Sequence, residues 1–278
     1  MTLWKMHGCG NDFLVFDNRN AILSDADKPG FTTRICDRHF GVGADGMIAL
    51  EKSSCAAFKM AYYNADGTED AMCGNGIRCV SKFARDIGAV AEKEFPVETG
   101  DGIKRIRITE ETERISSCVV NMGGWSFRTE DIGIRTKKEE FVGETLTMKD
   151  GTVFPASCIH LGVNHCIVFV DDDRDYPELY GSEIEELPIF LRDMNVHFTR
   201  YLDKEHIVVR SWERGAGKTL ACGTGSSAAA VVTARLKETA DMVSVKLPGG
   251  VLKISREGGQ VIMEGPAEKV AEIVLPEE

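Results

Sequence analysis

Apolar residues recur along most of this chain at every second position, and only in a few stretches at the three-and-four spacing of a helix. In the first half, residues 13–17, 47–50, 57–63, the run holding Ile103, Ile106 and Ile108, and residues 118–120 read as strands. Set against them are a helix over about 29–38 and another after Gly76, in which Ile77, Val80, Phe83 and Ala84 share one face and Gly88 closes the end. The second half repeats the order: a strand at 166–170, a helix near 184–192 in an acidic segment with Pro177 and Pro188, and a strand at 207–212. A helix over 226–237, crowded with alanine and so suited to close approach deep between sheets, precedes paired strands at 243–247 and 251–254. Runs of strands with one long helix per half predict an α+β fold, each sheet curling around its own helix.

The repetition centres on one tetrapeptide. Cys73-Gly74-Asn75-Gly76 and Cys222-Gly223-Thr224-Gly225 lie 149 residues apart, each between a polar, glycine-punctuated run and a predicted helix. At that offset Tyr63-Asn64 falls on Trp212-Glu213, Gly100 on Gly249 and Lys104 on Lys253; near the start of each half an offset of 153 aligns His7 with His160, Asn11 with Asn164 and Phe16 with Phe169. An internal repeat of this length is the signature of a duplicated fold. It divides the chain into a half over 1–125 carrying Cys73 and a half over 126–278 carrying Cys222. The acidic stretch 129–150 forms the junction, and the final strand is free to return to the first half.

Composition narrows the function. The 278 residues, 43% apolar, suffice for two domains of about 125–150 residues. A formal charge of −11, with no cluster of Lys and Arg, argues against nucleic acid as a partner. No charged leader precedes an apolar run and no stretch approaches a membrane span, so a cytoplasmic location is expected. Nine cysteines, an odd number without any Cys-x-x-Cys, read as reduced thiols rather than disulfides or a metal site. Of these, Cys36, Cys55, Cys118, Cys158 and Cys166 are expected to be small core residues.

Cys73 and Cys222 stand where a helix begins, followed by glycines that let a ligand approach the backbone. The helix dipole and free N–H groups there are expected to lower a thiol's pKa and to bind a carboxylate. If the halves face each other, two thiols flank one α-carbon, an arrangement suited to stereoinversion: one thiolate removes the α-proton and the opposite thiol returns one. Structural readings compete. A lone Cys before a glycine at a helix start is more often structural, and His7 and His165 suit turns. Gly215-Ala-Gly217-Lys218-Thr219 imitates a phosphate loop, but Trp212 stands where that motif needs glycine. An amino-acid binding protein without catalysis and a thiol redox protein are the alternative classes.

At this point the chain resembles the diaminopimelate epimerase family, nearly end to end. The likeness is carried by residues 7–13, 38–45, 64–69, 72–79, 213–217 and 221–225. The resemblance implies two pseudo-symmetric domains, each a barrel-like, mostly antiparallel sheet wrapped around a central helix. It also implies cofactor-independent, metal-free conversion of LL- to meso-diaminopimelate, commonly by a homodimer. By position, Cys73 and Cys222 would be the acid/base pair, with His165 and Glu213 supporting the proton transfers. Asn11, Asn64, Asn195, Glu213 and Arg214 would bind substrate, and Gly74, Asn75, Gly223 and Thr224 would hold the reacting carboxylate. The chain departs from the family where Asn164 replaces a proline before His165 and where His197 replaces an asparagine. Both positions are expected in the distal pocket, away from the cysteine chemistry. That leaves a racemase of another amino acid, such as histidine, as the runner-up.

Overall fold

The computed structural model describes residues 1–276. In chain order the first elements are β1 (Thr2–Gly8), β2 (Asn11–Asp17), α1 (Lys28–Cys36), β3 (Gly46–Glu51), β4 (Phe58–Asn64), β5 (Glu69–Asp70), α2 (Gly74–Asp86), β6 (Glu94–Thr99), β7 (Gly102–Glu111) and β8 (Ile115–Gly123). After α3 (Thr129–Ile132) and β9 (Glu144–Thr147) come β10 (Val153–Leu161), β11 (Val163–Phe169), α4 (Tyr176–Glu185), β12 (Asn195–Tyr201), β13 (His206–Glu213), β14 (Gly217–Thr219), α5 (Gly223–Leu236), β15 (Met242–Leu247), β16 (Gly250–Glu257) and β17 (Gln260–Val274). The series from β1 to β8 therefore recurs, element for element, from β10 to β17. The chain separates into two compact units, one of Met1–Asn121 with the segment from Glu264 on, the other Met122–Met263.

In the first unit eight strands close into a barrel. β1 pairs with β17 and β2, β3 with β2 and β4, β6 with β4 and β7, and β8 joins β7 to β17. Two of these ladders are parallel, β2 with β3 and β4 with β6, because a helix, α1 or α2, carries the chain back across the sheet between them. The second unit repeats this with parallel pairs β11–β12, connected through α4, and β13–β15, connected through α5; its antiparallel ladders run β9–β10–β11, β12–β13 and β15–β16. The expected α+β architecture, a sheet wound around a central helix in each half, is what the chain adopts.

The two central helices are buried for different reasons. Helix α5 packs against β10, β11, β12, β13, β15 and β16 and presents Ala228, Ala229 and Ala230, whose small side chains admit strands on several sides. Helix α2 packs against β1 to β4 and β7, and buries Arg78 and Lys82. Lys82 Nζ is satisfied by Asp86 Oδ2 at 2.8 Å and the carbonyls of Thr112 and Glu113 at 3.1 and 3.2 Å.

Strand ladders correct the repeat register read from sequence. Phe13 lies beside Gly46, and His165 beside Asn195, so β2 and β11 correspond at an offset of 152, one less than expected. The difference lies in the hairpin turns. Cys9 and Gly10, at φ of 55° and 85°, form a two-residue turn between Gly8 and Asn11, whereas Gly162 alone, at 71°, separates Leu161 from Val163. Asn164 therefore corresponds to Asp12, and His165 to Phe13.

Three further expectations change. The helix placed near 184–192 is α4, eight residues earlier, because Pro177 sits in its first turn, where proline costs no hydrogen bond. The stretch 129–150 belongs to the second unit, where Ile132, Ile134, Phe141, Leu146 and Met148 pack with Phe154 and Phe198 in its core. Cys55 is exposed, its thiol 3.6 Å from Glu98 Oε2, while Cys36, Cys118, Cys158 and Cys166 are buried as expected.

Candidate active site

Cys73 caps α2. Its backbone is extended, at φ −129° and ψ 121°, and its Sγ accepts the Gly76 N–H at 3.4 Å, the interaction an N-cap oxygen usually makes. Asn11, at the first residue of β2, faces this helix start: its Oδ1 lies 3.7 Å from Cys73 Sγ and accepts from Asn75 Nδ2 at 3.1 Å. The fully buried Arg78 guanidinium fixes the turn from beneath, donating to Gly74 O at 2.9 Å, Asn75 Oδ1 at 3.0 Å and Pro266 O at 3.0 Å. Asn11 is anchored in turn by Asp45, 2.8 Å from its Nδ2. Asp45 and Asp12 share the Arg38 guanidinium at 2.7 and 2.8 Å. Burial alone would raise the Asp12 pKa, but Arg38 and Lys5 outweigh it and hold the carboxyl at about 2. Asn11, Cys73, Gly74 and Asn75 thus form one cluster. Asn64 stands at the end of β4, accepting from Tyr62 Oη at 2.7 Å and donating to Thr68 Oγ1 at 3.1 Å.

Cys222 caps α5 in the same way, at φ −123° and ψ 114°, with Sγ accepting the Gly225 N–H at 3.4 Å and lying 3.5 Å from Thr224 Oγ1. Glu213, the last residue of β13, stands beside the thiol, and Thr219 from β14 donates its hydroxyl to the Glu213 carboxylate. Burial pushes the Cys222 thiol well above the ordinary range, the Glu213 carboxylate adds to the effect, and the Gly225 N–H and Thr224 hydroxyl only oppose it. This differs from the expectation of a lowered pKa: at Cys222, removal from water outweighs the helix start.

A second group surrounds the hairpin after β13. Asn195, at the head of β12, accepts the Arg214 backbone N–H at 3.0 Å and donates to Asn164 O at 3.4 Å, while the Arg214 guanidinium pairs with Asp193. Asn164, where proline was the expected residue, uses its amide fully: Nδ2 donates to the carbonyls of Ile132 at 3.0 Å and Asp193 at 3.3 Å, and Oδ1 lies 2.9 Å from His160 Nδ1.

The third group is a buried polar chain. His165 Nδ1 lies 2.9 Å from His197 Nε2, and His197 Nδ1 lies 2.8 Å from Ser211 Oγ. Both rings are fully enclosed, and His165 Nε2 finds no hydrogen-bond partner. Desolvation holds the His165 pKa at about 3, against a small opposing effect of the Leu161 carbonyl, and drives that of His197 well below its ordinary value. Both imidazoles are therefore neutral at physiological pH. His197 was expected in the distal pocket, away from the cysteine chemistry. Instead it lies under α5, where its ring occupies the space beside Gly225.

Sequence reasoning assigned no role to Arg78, Ser211 or Thr219, and did not anticipate the burial of His197 beside Gly225. The one available signal was a Ser at position 211 on the side of β13 that also carries Ile207 and Val209. Among the described residues no group of three or more His, Cys, Asp or Glu side chains is placed to hold a metal ion, and no helix is long and apolar enough to cross a membrane.

Comparison with known proteins agrees with this picture. The family model described as diaminopimelate epimerase matches residues 3–127 and 157–270, omitting the 128–156 connection that carries α3 and β9. A diaminopimelate epimerase of Caldanaerobacter subterraneus subsp. tengcongensis is 38% identical over 272 residues, covering 97% of each chain. Another, of Desulforudis audaxviator, is 41% identical over 273 residues with the same coverage. Among solved structures, a Bacillus anthracis phenazine biosynthesis protein of the PhzF family superposes with a TM-score of 0.70 at 19% identity, over 99% of both chains. A hydroxyproline epimerase of Agrobacterium vitis superposes with a TM-score of 0.67 at 16% identity, over 98% of this chain and 90% of its own; at such identities the likeness concerns the fold.

Proposed function

Because the chain belongs to the diaminopimelate epimerase family, we propose that it is an isomerase that converts LL-diaminopimelate to meso-diaminopimelate by proton transfer at one α-carbon. The observation that carries this reading is the duplicated cap: one cysteine in each unit begins a long helix and accepts the amide of the glycine three residues on.

Inversion at carbon requires that a proton leave one face and another arrive at the opposite face. A thiolate and a thiol do this with no net redox change. Cys73 and Cys222 are assigned these parts, and they exchange roles when the substrate enters with the other configuration. The raised pKa of Cys222 suits it to hold its proton until the carbanion develops, and the Glu213 carboxylate beside it suits a proton acceptor for the reverse direction. An amino-acid α-proton is far less acidic than a thiol, so the chief demand is stabilisation of the negative charge that spreads into the carboxylate. Backbone amides at Gly74, Asn75, Gly223 and Thr224, at two helix starts, are suited to this, at roughly 3 kcal/mol per well-placed donor. Asn11, Asn64, Asn195, Glu213 and Arg214 are assigned to the substrate's polar groups, and His165 to the proton transfers. A homodimer and a cytoplasmic location belong to the same proposal, the first supported by the family likeness and the second by nine free cysteines.

The test is incubation with LL-diaminopimelate in deuterium oxide, beside the L forms of histidine, lysine, ornithine and arginine. Inversion of diaminopimelate with one solvent deuteron supports the reading. Faster exchange of a basic amino acid without a second carboxylate replaces it with the runner-up, and binding without exchange replaces it with a binding protein.

A further inference from the structure

The duplication supplies an internal control for the buried chain Ser211–His197–His165. Through the ladders, Ile48 on β3 occupies the place that His197 holds on β12, Tyr62 that of Ser211, and Phe13 that of His165. In the first unit these are apolar contacts: Phe13 and Tyr62 meet edge to face at 5.9 Å, and Ile48 lies under Gly76 as His197 lies under Gly225. The scaffold is thus filled by ordinary hydrophobic packing in one half. In the other it buries two imidazoles and a hydroxyl, at a desolvation cost that packing alone does not require. Such a polar chain fixes orientation, since turning any one ring away leaves its neighbour's buried polar atom unsatisfied.

Two proton arrangements satisfy the chain. In one, Ser211 donates to His197 Nδ1 and His197 Nε2–H donates to His165 Nδ1, leaving His165 with an N–H at Nε2. In the other every donor is reversed and His165 Nε2 is bare. In either arrangement the contacts to His197 and, through it, to Ser211 fix which His165 nitrogen is protonated.

We propose that His197 is a positioning residue: together with Ser211 it holds His165 in one orientation and one tautomer, and by its seat against Gly225 it ties that ring to the helix start that carries Cys222. The inference rests on the proposed function only in taking His165 to serve the proton transfers. The two functions of His197, spacer and hydrogen-bond relay, separate in the variant His197→Ile, which copies the residue of the sister half.

The experiment is long-range proton–nitrogen correlation on protein carrying nitrogen-15 histidine, combined with steady-state kinetics. In the unaltered protein His165 is expected to show one protonated nitrogen and one bare one, without averaging. In His197→Ile, with the fold retained, its signals are expected to move toward a tautomer average while kcat falls about 10- to 100-fold and KM changes less than threefold. Ser211→Ala, which introduces no bulk, should shift the tautomer balance in the same direction, and Ser211→Thr, which keeps the hydroxyl, should restore it. The unaltered protein's single tautomer retained in both His197→Ile and Ser211→Ala overturns the proposal whatever the activity. A tautomer that shifts with kcat unchanged overturns it as well, by removing His165 from the chemistry. Absence of inversion by the unaltered protein would strike the proposed function instead, leaving the tautomer measurement to decide on His197.

Discussion

A Cβ placed on Gly225 would lie 2.0 Å from His197 Cε1, so the second cysteine's helix can begin where it does only because residue 225 has no side chain. The ring cannot yield easily, being held at both nitrogens by His165 and Ser211. Gly225→Ala should therefore displace the first turn of α5 despite alanine's better helix propensity. A stability loss of about 2 kcal/mol is expected from overpacking, and activity should fall about 100-fold because the Cys222 thiol moves with the turn. Chemical denaturation and initial rates check this; adding His197→Ala to Gly225→Ala should return most of the stability and little of the activity.

Arg78 holds the first cysteine's helix start through three acceptors while fully buried. Arg78→Met keeps the apolar stem and removes every donor. A loss of about 3 kcal/mol or more is expected, since buried acceptors then lack the partner that balanced their desolvation. A change below about 1 kcal/mol in urea unfolding would show that water replaces the guanidinium.

His165 and His197 make folding sensitive to acid. Their folded pKa values lie below the usual 6.5, at about 3 for His165, so between these limits the unfolded chain binds more protons than the folded one. Their contribution is complete above about pH 6.5 and is lost as pH falls toward 3. Urea midpoints should drop from pH 7.5 to 5.5, and the drop should be smaller in His197→Ile, which removes one of the two rings. An equal drop in both proteins would place the acid sensitivity elsewhere.

Glu213 raises the Cys222 pKa after burial has already done so. Glu213→Gln keeps the shape and removes the charge. The thiolate should then form more readily, and alkylation of Cys222 at pH 8, followed by mass spectrometry, should quicken. Turnover should nevertheless fall. Slower alkylation would mean that Glu213 acts on this thiol as a base rather than through its charge.

What the sequence disclosed was whatever local residue types encode. The two Cys-Gly-x-Gly caps, the glycine-rich turns before them and the alanines of α5 each follow from backbone or packing demands within a few residues. The one-residue register error came from two hairpin turns of different length, and alternation did not reveal it because the inner strands are buried on both faces, so a slip leaves the apolar pattern unchanged. Helix α4 begins earlier than expected because Pro177 is a first-turn residue, a start signal that the acidic pattern around it did not stress. The chain from Ser211 through His197 to His165 was invisible because its members are 14 and 32 residues apart in sequence and meet only through strand pairing.

The division of labour between the two cysteines is tested most directly by following α-deuterium uptake and configuration together in Cys73→Ala and Cys222→Ala, with LL-diaminopimelate in deuterium oxide and folding confirmed by circular dichroism. Each variant is expected to stay folded and to lose inversion by at least about 1,000-fold. Inversion at an undiminished rate by either variant would contradict the assignment of one acid and one base to the two helix-capping thiols.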